Sequence, residues 1–426
     1  MKIAIAGYGL EGESNYRYWA ANPANYITIV DQHQPSRDVP AGINTIIDDD
    51  AFEKLQDFDF VIRTAGLAPR KIKTNGKIWS ATNEFFAKCP ALIIGVTGSK
   101  GKGTTASLIA SILRESGKNV WLLGNIGKPS LDVIRDIKQS DVVVYELSSF
   151  QLWDIEKSPH IAVILFIEQE HLDVHTDMDE YTAAKANITR YQTINDVLVY
   201  NRSNQYASDI ANESTAQLVG YLDSKTAHTQ EGYFYYGEQK ICSIDALRVI
   251  GIHNQDNACA AIDAIWEFTQ DVEVIERGIR AFKGLPHRLQ FVREVDGVKY
   301  YDDSIATTPS SAIAALRSFN GLKVIILGGS SKGSDFNELG RELTKHDARA
   351  ILIGDEAKNI AEACRNAGFS NFEIIDNPTA TTIVERAHSL ANPGDVVLLS
   401  PSSASFGLFR NYVDRGEQFT AAVNKL

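Results

Sequence analysis

Cysteine is scarce in this chain. Cys89, Cys242, Cys259 and Cys364 are scattered along 426 residues, too far apart for a zinc or redox pair, so reduced and mostly buried thiols are expected. Long apolar runs are missing too, and none approaches the roughly 18 residues that a membrane span needs. The opening Met1-Lys2-Ile3-Ala4-Ile5-Ala6-Gly7 breaks too early to form a signal-peptide core, which makes the cytoplasm the expected location. Positive charge is outweighed: 42 Lys and Arg against 54 Asp and Glu leave a net charge of −12. That balance argues against a general nucleic-acid or anionic-membrane surface, while leaving room for a local cationic pocket. No short-period repeat or low-complexity segment occurs. What is present, 44% hydrophobic and 23% charged residues, describes a globular protein with ample core, and the length suggests about two to three domains.

The most informative stretch is Ile93-Ile94-Gly95-Val96-Thr97-Gly98-Ser99-Lys100-Gly101-Lys102-Gly103-Thr104-Thr105. An apolar strand runs into a glycine-rich loop with a lysine, and a helix-like sequence follows. That order builds a phosphate cradle: Gly98 and Gly101 let backbone N–H groups turn inward, the helix adds its positive end, and Lys102 supplies a mobile charge. Thr104 can ligate magnesium. The match is to Thr-Gly-x-x-Gly-Lys, since Val96 stands where the strict motif has its first glycine. An ordinary Gly/Ser/Lys surface loop is the alternative.

Upstream, Lys2–Ala6 reads as a strand followed by Gly7-x-Gly9-x-x-Gly12 and a helix, and a second strand at 26–30 ends in Asp31. With a third strand at 58–62 leading to Arg63-Thr64-Ala65-Gly66, the first ~90 residues form a small Rossmann-like unit. Its glycines can hold a pyrophosphate or merely pack helix on strand. Downstream, Asp141–Tyr145 is a buried strand ending at Glu146, where an acidic metal partner of the phosphate loop belongs, or where a solvent-facing glutamate would stand. The strand at 161–167 leads to His171 and Asp173, ligands of a type magnesium accepts, and then to a helix with Lys185, which alone would be a solvated lysine. Short strands at 197–200, 217–221, 233–236 and 240–244 look like an antiparallel patch. After the breaker-rich Gly284-Leu285-Pro286-His287-Arg288, strands at 298–301, 323–327, 350–353 and 395–399 alternate with helices as a second Rossmann-like sheet. The expected architecture is therefore α/β in three domains: Rossmann-like (1–89), a central phosphate-loop domain with a mainly parallel sheet plus a small antiparallel one (90–284), and Rossmann-like again (285–426).

Taken together, Thr-Gly-x-x-Gly-Lys at 97–102, Gly-Asn-Ile-Gly at 124–127, Glu-Leu-Ser-Ser-Phe-Gln-Leu at 146–152, His-Leu-Asp at 171–173 with Tyr-x3-Lys at 181–185, His-Asn-x2-Asn at 253–257, Gly-Leu-Pro-His-Arg at 284–288 and Leu-Ser-Pro…Ala-Ser-Phe at 399–406 resemble the Mur ligase superfamily over essentially the whole chain. The resemblance implies ATP-dependent ligation of glutamate to the alanine carboxylate of UDP-N-acetylmuramoyl-L-alanine, in peptidoglycan precursor synthesis, by a monomer. It implies that Lys102, Glu146, His171 and Lys185 are catalytic, and that Gly98, Ser99, Lys100, Gly101, Lys102, Gly103, Thr104, Asn257, His287, Arg288 and Asp303 bind ATP. Two Mg2+ ions would be held by Thr104, Glu146, His171 and Lys185, the lysine as a carbamate. The UDP substrate would meet Gly9, Leu10, Gly12, Glu13, Ser14, Asp31, Thr64, Ala65, Gly66, Asn83, Asn125 and Ser148, and glutamate would meet Thr307, Lys332, Ser405 and Tyr412.

Several positions depart from the family pattern. Gly103-Thr104 replaces Ser/Thr-Thr, Phe166 and Glu170 replace an Asn and an Asp around His171, and Gln32-His33 replace the usual uridine-side pair. Ile305 and Thr308 stand where Asp-Ser-Lys-Ala-Thr-Asn is common, which removes a cation and leaves D- against L-glutamate open. A folylpolyglutamate-synthase-like ligase and a phosphate-loop switch that merely hydrolyses ATP are the rival functions. The switch would leave both flanking Rossmann-like units without a task.

Overall fold

The computed structural model describes every residue of the chain except 36, 126, 173, 250 and 332. The first sheet is built from β1 (Lys2–Ala6), β2 (Tyr26–Asp31), β3 (Asn44–Ile47), β4 (Phe60–Arg63) and β5 (Lys77–Ser80), all parallel in the order β3-β2-β1-β4-β5. The helix α1 (Leu10–Ala20) crosses from β1 to β2, and α2 (Ala81–Lys88) leads onward. Apolar runs such as Ile3-Ala4-Ile5-Ala6 are buried on both faces, as a parallel sheet covered by helices requires.

The second sheet holds the phosphate loop. Its strands are β6 (Leu92–Thr97), β7 (Val120–Gly124), β8 (Val142–Glu146), β9 (Ile161–Ile164), β10 (Val197–Asn201) and β11 (Gln217–Tyr221), parallel in the order β11-β10-β9-β6-β8-β7. The helices are α3 (Lys102–Glu115), α4 (Ser130–Val133), α5 (Ser149–Leu152), α6 (Met178–Ala186) and α7 (Gln205–Glu213). The chain order reverses between β6 and its neighbours β8 and β9, and ligands bind beyond the carboxyl ends of strands at such a switch point. Here the structure corrects the expected antiparallel patch. β10 and β11 pair in parallel with α7 as their crossover, and only β12 (Ala227–Gln230), β13 (Tyr233–Tyr236) and β14 (Gln239–Ser243) form an antiparallel sheet. The helices α8 (Ile252–Ile265) and α9 (Val272–Ala281) pack on α3.

The last sheet contains β15 (Gln290–Val295), β16 (Val298–Asp302), β17 (Lys323–Gly328), β18 (Ala348–Ile353), β19 (Phe372–Ile375) and β20 (Val396–Leu399), in the order β15-β16-β20-β17-β18-β19 with only β15 antiparallel. It is covered by α10 (Pro309–Arg317), α11 (Asn337–Leu343), α12 (Ala357–Asn366), α13 (Ala380–Leu390) and α14 (Tyr412–Val423). The chain divides into two compact units, Met1–Leu247 with Ile252–Phe282, and Arg248–Gly251 with Lys283–Leu426. Among the described residues, no helix is long and apolar enough to cross a membrane.

Candidate functional site

β6 delivers the chain into the phosphate loop. Gly98 and Gly101 have φ of +152° and +86°, conformations that a side chain would strain. A Cβ on Gly98 would stand 2.7 Å from Leu165 Cβ, and one on Gly101 would stand 2.3 Å from Asn257 Oδ1, which places Asn257 against the loop. Gly101 caps α3, so the helix's first free N–H groups face the turn. Ser99 is wired in: its N donates to Phe166 O at 2.8 Å, its Oγ lies 2.8 Å from the Tyr181 hydroxyl, and Glu168 N donates to that Oγ at 3.0 Å. Lys102 Nζ donates to Gly98 O at 3.0 Å and to Ser99 O at 2.8 Å. Gly103 and Thr104 are buried in the first turn of α3. Lys100 points outward, 75% exposed, and pairs with Glu168.

Lys185 is the surprise of the helix α6. It is 1% exposed, donates to Gly98 O at 2.7 Å, and lies 4.6 Å over the Tyr181 ring. Burial first, and the charge of Lys102 second, hold its ammonium well below the ordinary lysine range, while Glu170 opposes the shift. One strand over, Glu146 closes β8 and is 4% exposed. Its Oε1 accepts from Asn125 Nδ2 at 3.2 Å, and its Oε2 is buried without a hydrogen-bond partner. A carboxylate oxygen left that way calls for a cation or a proton.

His171 has φ of +59° and is 44% exposed, with its ring 4.9 Å from that of Phe150 and its Nε2 3.9 Å from Glu170 Oε2. Asp173 lies outside the described residues. Among the described residues, no three His, Cys, Asp or Glu side chains are grouped to hold a metal by themselves. Magnesium rarely asks for such a cage, since it keeps waters and takes phosphate oxygens. The unpartnered Glu146 Oε2 is the kind of single oxygen such an ion takes from a protein. His175 had no role in the sequence reading. It is buried, sits 2.9 Å from Ser149 Oγ, stacks on Phe150 at 5.4 Å, and is pushed below the usual imidazole range by burial. Its i+4 spacing from His171 was the visible signal, and His175 N does donate to His171 O at 2.9 Å.

The first sheet offers its own cradle at the start of α1. Gly9 has open space around its Cβ position, Leu10 is 53% exposed, and Gly66 is also open. Gly12 is different: a Cβ there would stand 2.1 Å from Gly7 O, so this glycine packs α1 onto β1. Asp31 Oδ2 accepts from Tyr8 N at 2.8 Å. Thr64 Oγ1 donates to Ala6 O at 3.3 Å, and Ala65 N donates to Glu11 Oε2 at 2.8 Å. Glu11 was missed by sequence reasoning. Its carboxyl is pushed up by burial, with the Ala65 bond and Arg63 opposing.

Several expected contacts are already engaged within the fold. Ser14 Oγ donates to Asp132, Glu13 pairs with Arg17, and Ser148 caps α5. Asn83 donates to Asp154 O at 2.8 Å and accepts from Glu156 N at 2.8 Å.

In the second unit, His287 has φ of +59° and its Nδ1 lies 2.7 Å from Asp302 Oδ2. Asp303 accepts from Ser400 Oγ at 2.7 Å and Leu289 N at 3.1 Å, and burial pushes its carboxyl up to about 7. Arg288 is exposed, Thr307 half-buried, Ser405 buried, and Tyr412 39% exposed. Lys332 lies outside the described residues. Arg415, 1% exposed, was not foreseen. It donates to Ser304 Oγ at 2.9 Å, Ser304 O at 2.8 Å and Ser403 O at 3.1 Å, tying together the loops that carry Asp303 and Ser405. Burial lowers its guanidinium to about 10.

Residues 96–265 match the Mur ligase middle domain, and residues 287–403 match the Mur ligase glutamate ligase domain. A protein from Clostridium tetani named UDP-N-acetylmuramoylalanine–D-glutamate ligase is 37% identical over 400 residues, covering 90% of this chain and 87% of its own. Among solved structures, MurF from Acinetobacter baumannii superposes with a TM-score of 0.65 at 18% identity, covering 99% of this chain and 93% of its own. The MurF ligase of Thermotoga maritima in complex with ADP gives 0.58 at 19% identity, covering 99% and 95%. At those identities the structures speak for the fold alone.

Proposed function

This chain belongs to the Mur ligase family, and from that premise we propose that it is an ATP-dependent amide ligase joining D-glutamate to UDP-N-acetylmuramoyl-L-alanine in peptidoglycan precursor synthesis. The observation that carries the reading is the meeting of Lys102 and Lys185 on one carbonyl of the phosphate loop, one strand away from the unpartnered Glu146 Oε2. The ADP bound to a fold relative supports ATP as the nucleotide.

A carboxylate does not acylate an amine in water. In the first step an oxygen of the alanine carboxylate attacks the γ-phosphorus, and ADP leaves. In the second, the amine of glutamate attacks the acyl carbon, phosphate leaves, and the amine gives up a proton. Both steps build negative charge, so positive charge and N–H donors must converge. Gly98–Gly103 would cradle the phosphates, Lys102 would follow the transferred group, and Asn257, resting against Gly101, would lie near adenine. Lys100, Ser99, Thr104, His287, Arg288 and Asp303 complete the proposed nucleotide contacts. Thr104 and Glu146 would hold one magnesium ion, and His171 with Lys185 a second. When bound, magnesium neutralises phosphate charge and orients the transferred group. Lys185 must lose its charge to become a carbamate, and its burial favours the neutral amine.

We assign residues 1–89 to the UDP substrate, 90–284 to ATP and 285–426 to glutamate. Gly9, Leu10 and Gly66 are the groups of the first cradle best placed to meet a ligand; Thr64 and Ala65, whose backbone groups are held by Ala6, Glu11 and Arg63, and the engaged side chains of Ser14, Asn83 and Ser148 would act by shaping it. Thr307, Lys332, Ser405 and Tyr412 are the proposed glutamate contacts. A monomer in the cytoplasm suits a nucleotide-sugar substrate. The test is phosphate release from ATP with UDP-N-acetylmuramoyl-L-alanine and D- or L-glutamate side by side. Release should require the sugar substrate and prefer the D-enantiomer at least tenfold; hydrolysis indifferent to both would point to an ATPase switch.

A further inference from the structure

Arg63 closes β4, carries a permanent charge and is 0% exposed. Its guanidinium donates in two directions. Nε donates to Asp154 Oδ2 at 2.8 Å, and Nη2 donates to Asp154 Oδ1 and to Phe150 O at 3.0 Å. Nη1 reaches the carbonyls of Thr64 at 3.4 Å, Ala65 at 3.3 Å and Leu67 at 3.3 Å. One side chain therefore gathers the loop after β4 and fastens it to α5 and the residues that follow it.

Both ends of that fastening matter to the proposed chemistry. The loop 64–67 is the side assigned to the UDP substrate, and the inference rests on that reading. At the other end, α5 begins three residues after Glu146, and the Phe150 ring stacks on His175 and lies 4.9 Å from His171. A shift of the Phe150 carbonyl would move the aromatic floor under His171. Holding two sheets together needs no buried charge, since apolar packing of similar volume commonly serves as well. What a planar guanidinium with its donors in a fixed fork adds is geometry. Other contacts already join the two sheets: Asn83 to Asp154 O and Glu156 N, Arg70 to Glu180 at 2.5 Å, and Ser14 to Asp132 at 2.8 Å.

We propose that Arg63 is a positioning residue: through Phe150 and Asp154 it sets the register between the loop that holds the acceptor substrate and the groups that handle the transferred phosphate. It touches no ligand itself. Its loss should misplace the alanine carboxylate relative to the γ-phosphate while leaving the phosphate loop, built on β6 and α3, intact.

The experiment compares full-length wild type with Arg63→Lys, which keeps the charge and loses the fork, and Asp154→Asn, which removes the partner charge from the other side. Steady-state kinetics and thermal midpoints are measured for all three. In both variants kcat should fall at least tenfold and KM for UDP-N-acetylmuramoyl-L-alanine should rise about fivefold. KM for ATP should stay within twofold, and the variants should still unfold cooperatively. Wild-type kcat and KM in Arg63→Lys would overturn the proposal. So would a parallel loss toward every substrate that tracks a falling midpoint, the mark of a merely structural residue. If wild type fails to turn over the UDP substrate, the functional reading falls and takes this one with it. If wild type turns it over and the variants match it, only the role of Arg63 falls.

Discussion

Lys102 and Lys185 donate to the same oxygen, the carbonyl of Gly98, at 3.0 and 2.7 Å. Two ammonium groups on one acceptor repel each other unless one is neutral or an anion lies between them. A bound triphosphate would provide the anion and draw Lys102 off the loop carbonyls. Lys102→Ala should therefore lower kcat/KM by about 10²–10³, the loss expected with one positioned donor of transition-state charge. The same variant removes the positive charge that helps depress Lys185, so the Lys185 amine should titrate at higher pH. Peptide mapping of Lys185 acetylation across pH reads that shift, and wild-type turnover by Lys102→Ala would refute the assignment of the loop.

A buried, neutral Lys185 is the form that can attack carbon dioxide. Activity should drop in carbonate-free buffer and return with added bicarbonate, and Lys185→Arg, which cannot be neutral, should stay inactive under both conditions. Stability carries the same signature. The folded-state pKa is depressed below 10.5, so in the window between the two values the unfolded chain binds more protons, and stability rises with pH. Wild type should therefore gain thermal stability relative to Lys185→Met as pH rises toward 10, and a constant difference would place Lys185 in water.

Asp303 tests the opposite sign. Its carboxyl is raised from 3.8 to about 7, chiefly by burial, so the folded chain keeps its proton in a range where the unfolded chain has lost it. The contribution is present at low pH and is lost as pH rises through about 7. Asp303→Asn mimics the protonated acid, and the Ser400 hydroxyl can turn to accept from its amide. Unfolding free energies from urea should be alike near pH 3.5, below the unfolded value, and should favour the variant increasingly as pH rises toward 7, by about 1–3 kcal/mol or more near pH 8. Equal differences at both pH values would mean that Asp303 is solvated.

Much of this was legible because the phosphate loop and the first cradle are local chemistry: glycines at 98, 101 and 7 sit at positive φ, and their spacing announces the turns. The antiparallel reading of β10 and β11 failed for a physical reason. The crossover α7 is Gln-Tyr-Ala-Ser-Asp-Ile-Ala-Asn-Glu, in which only Ala207, Ile210 and Ala211 are buried, so its apolar stripe is too thin to see beside two short strands. Its one clear mark was Asn204, whose side chain caps Ala207 N. Arg63 and Arg415 were invisible for another reason: most of their acceptors are backbone carbonyls assembled by the tertiary fold, and no spacing of side chains encodes them.

The two glycines at the start of α1 separate packing from binding. Gly12→Ala drives a Cβ into Gly7 O and should cost about 1–3 kcal/mol as α1 lifts off β1. Gly9 has φ of −93° and nothing within 4 Å of its Cβ position. Gly9→Ala should leave urea stability within about 0.5 kcal/mol. If the diphosphate sits there, the same methyl group should weaken UDP-N-acetylmuramoyl-L-alanine binding at least fivefold by calorimetry. Unchanged affinity would move the UDP end off this cradle.

Ile305 stands where the family pattern that the sequence resembles implies a lysine. It is half-buried, its N donates to His287 O at 3.1 Å, and it follows Ser304, whose oxygens are held by Arg415. The backbone around it is therefore well anchored, and Ile305→Lys changes charge more than shape. A cation within about 4–6 Å of a ligand carboxylate or phosphate is worth on the order of 1 kcal/mol at a partly wet site and is screened by salt. KM for D-glutamate should fall about three- to tenfold at 50 mM salt, with the gain shrinking several-fold at 300 mM. A KM unchanged at both salt concentrations would mean that position 305 faces neither ligand charge, and that the isoleucine marks a site where this chain dispenses with the cation.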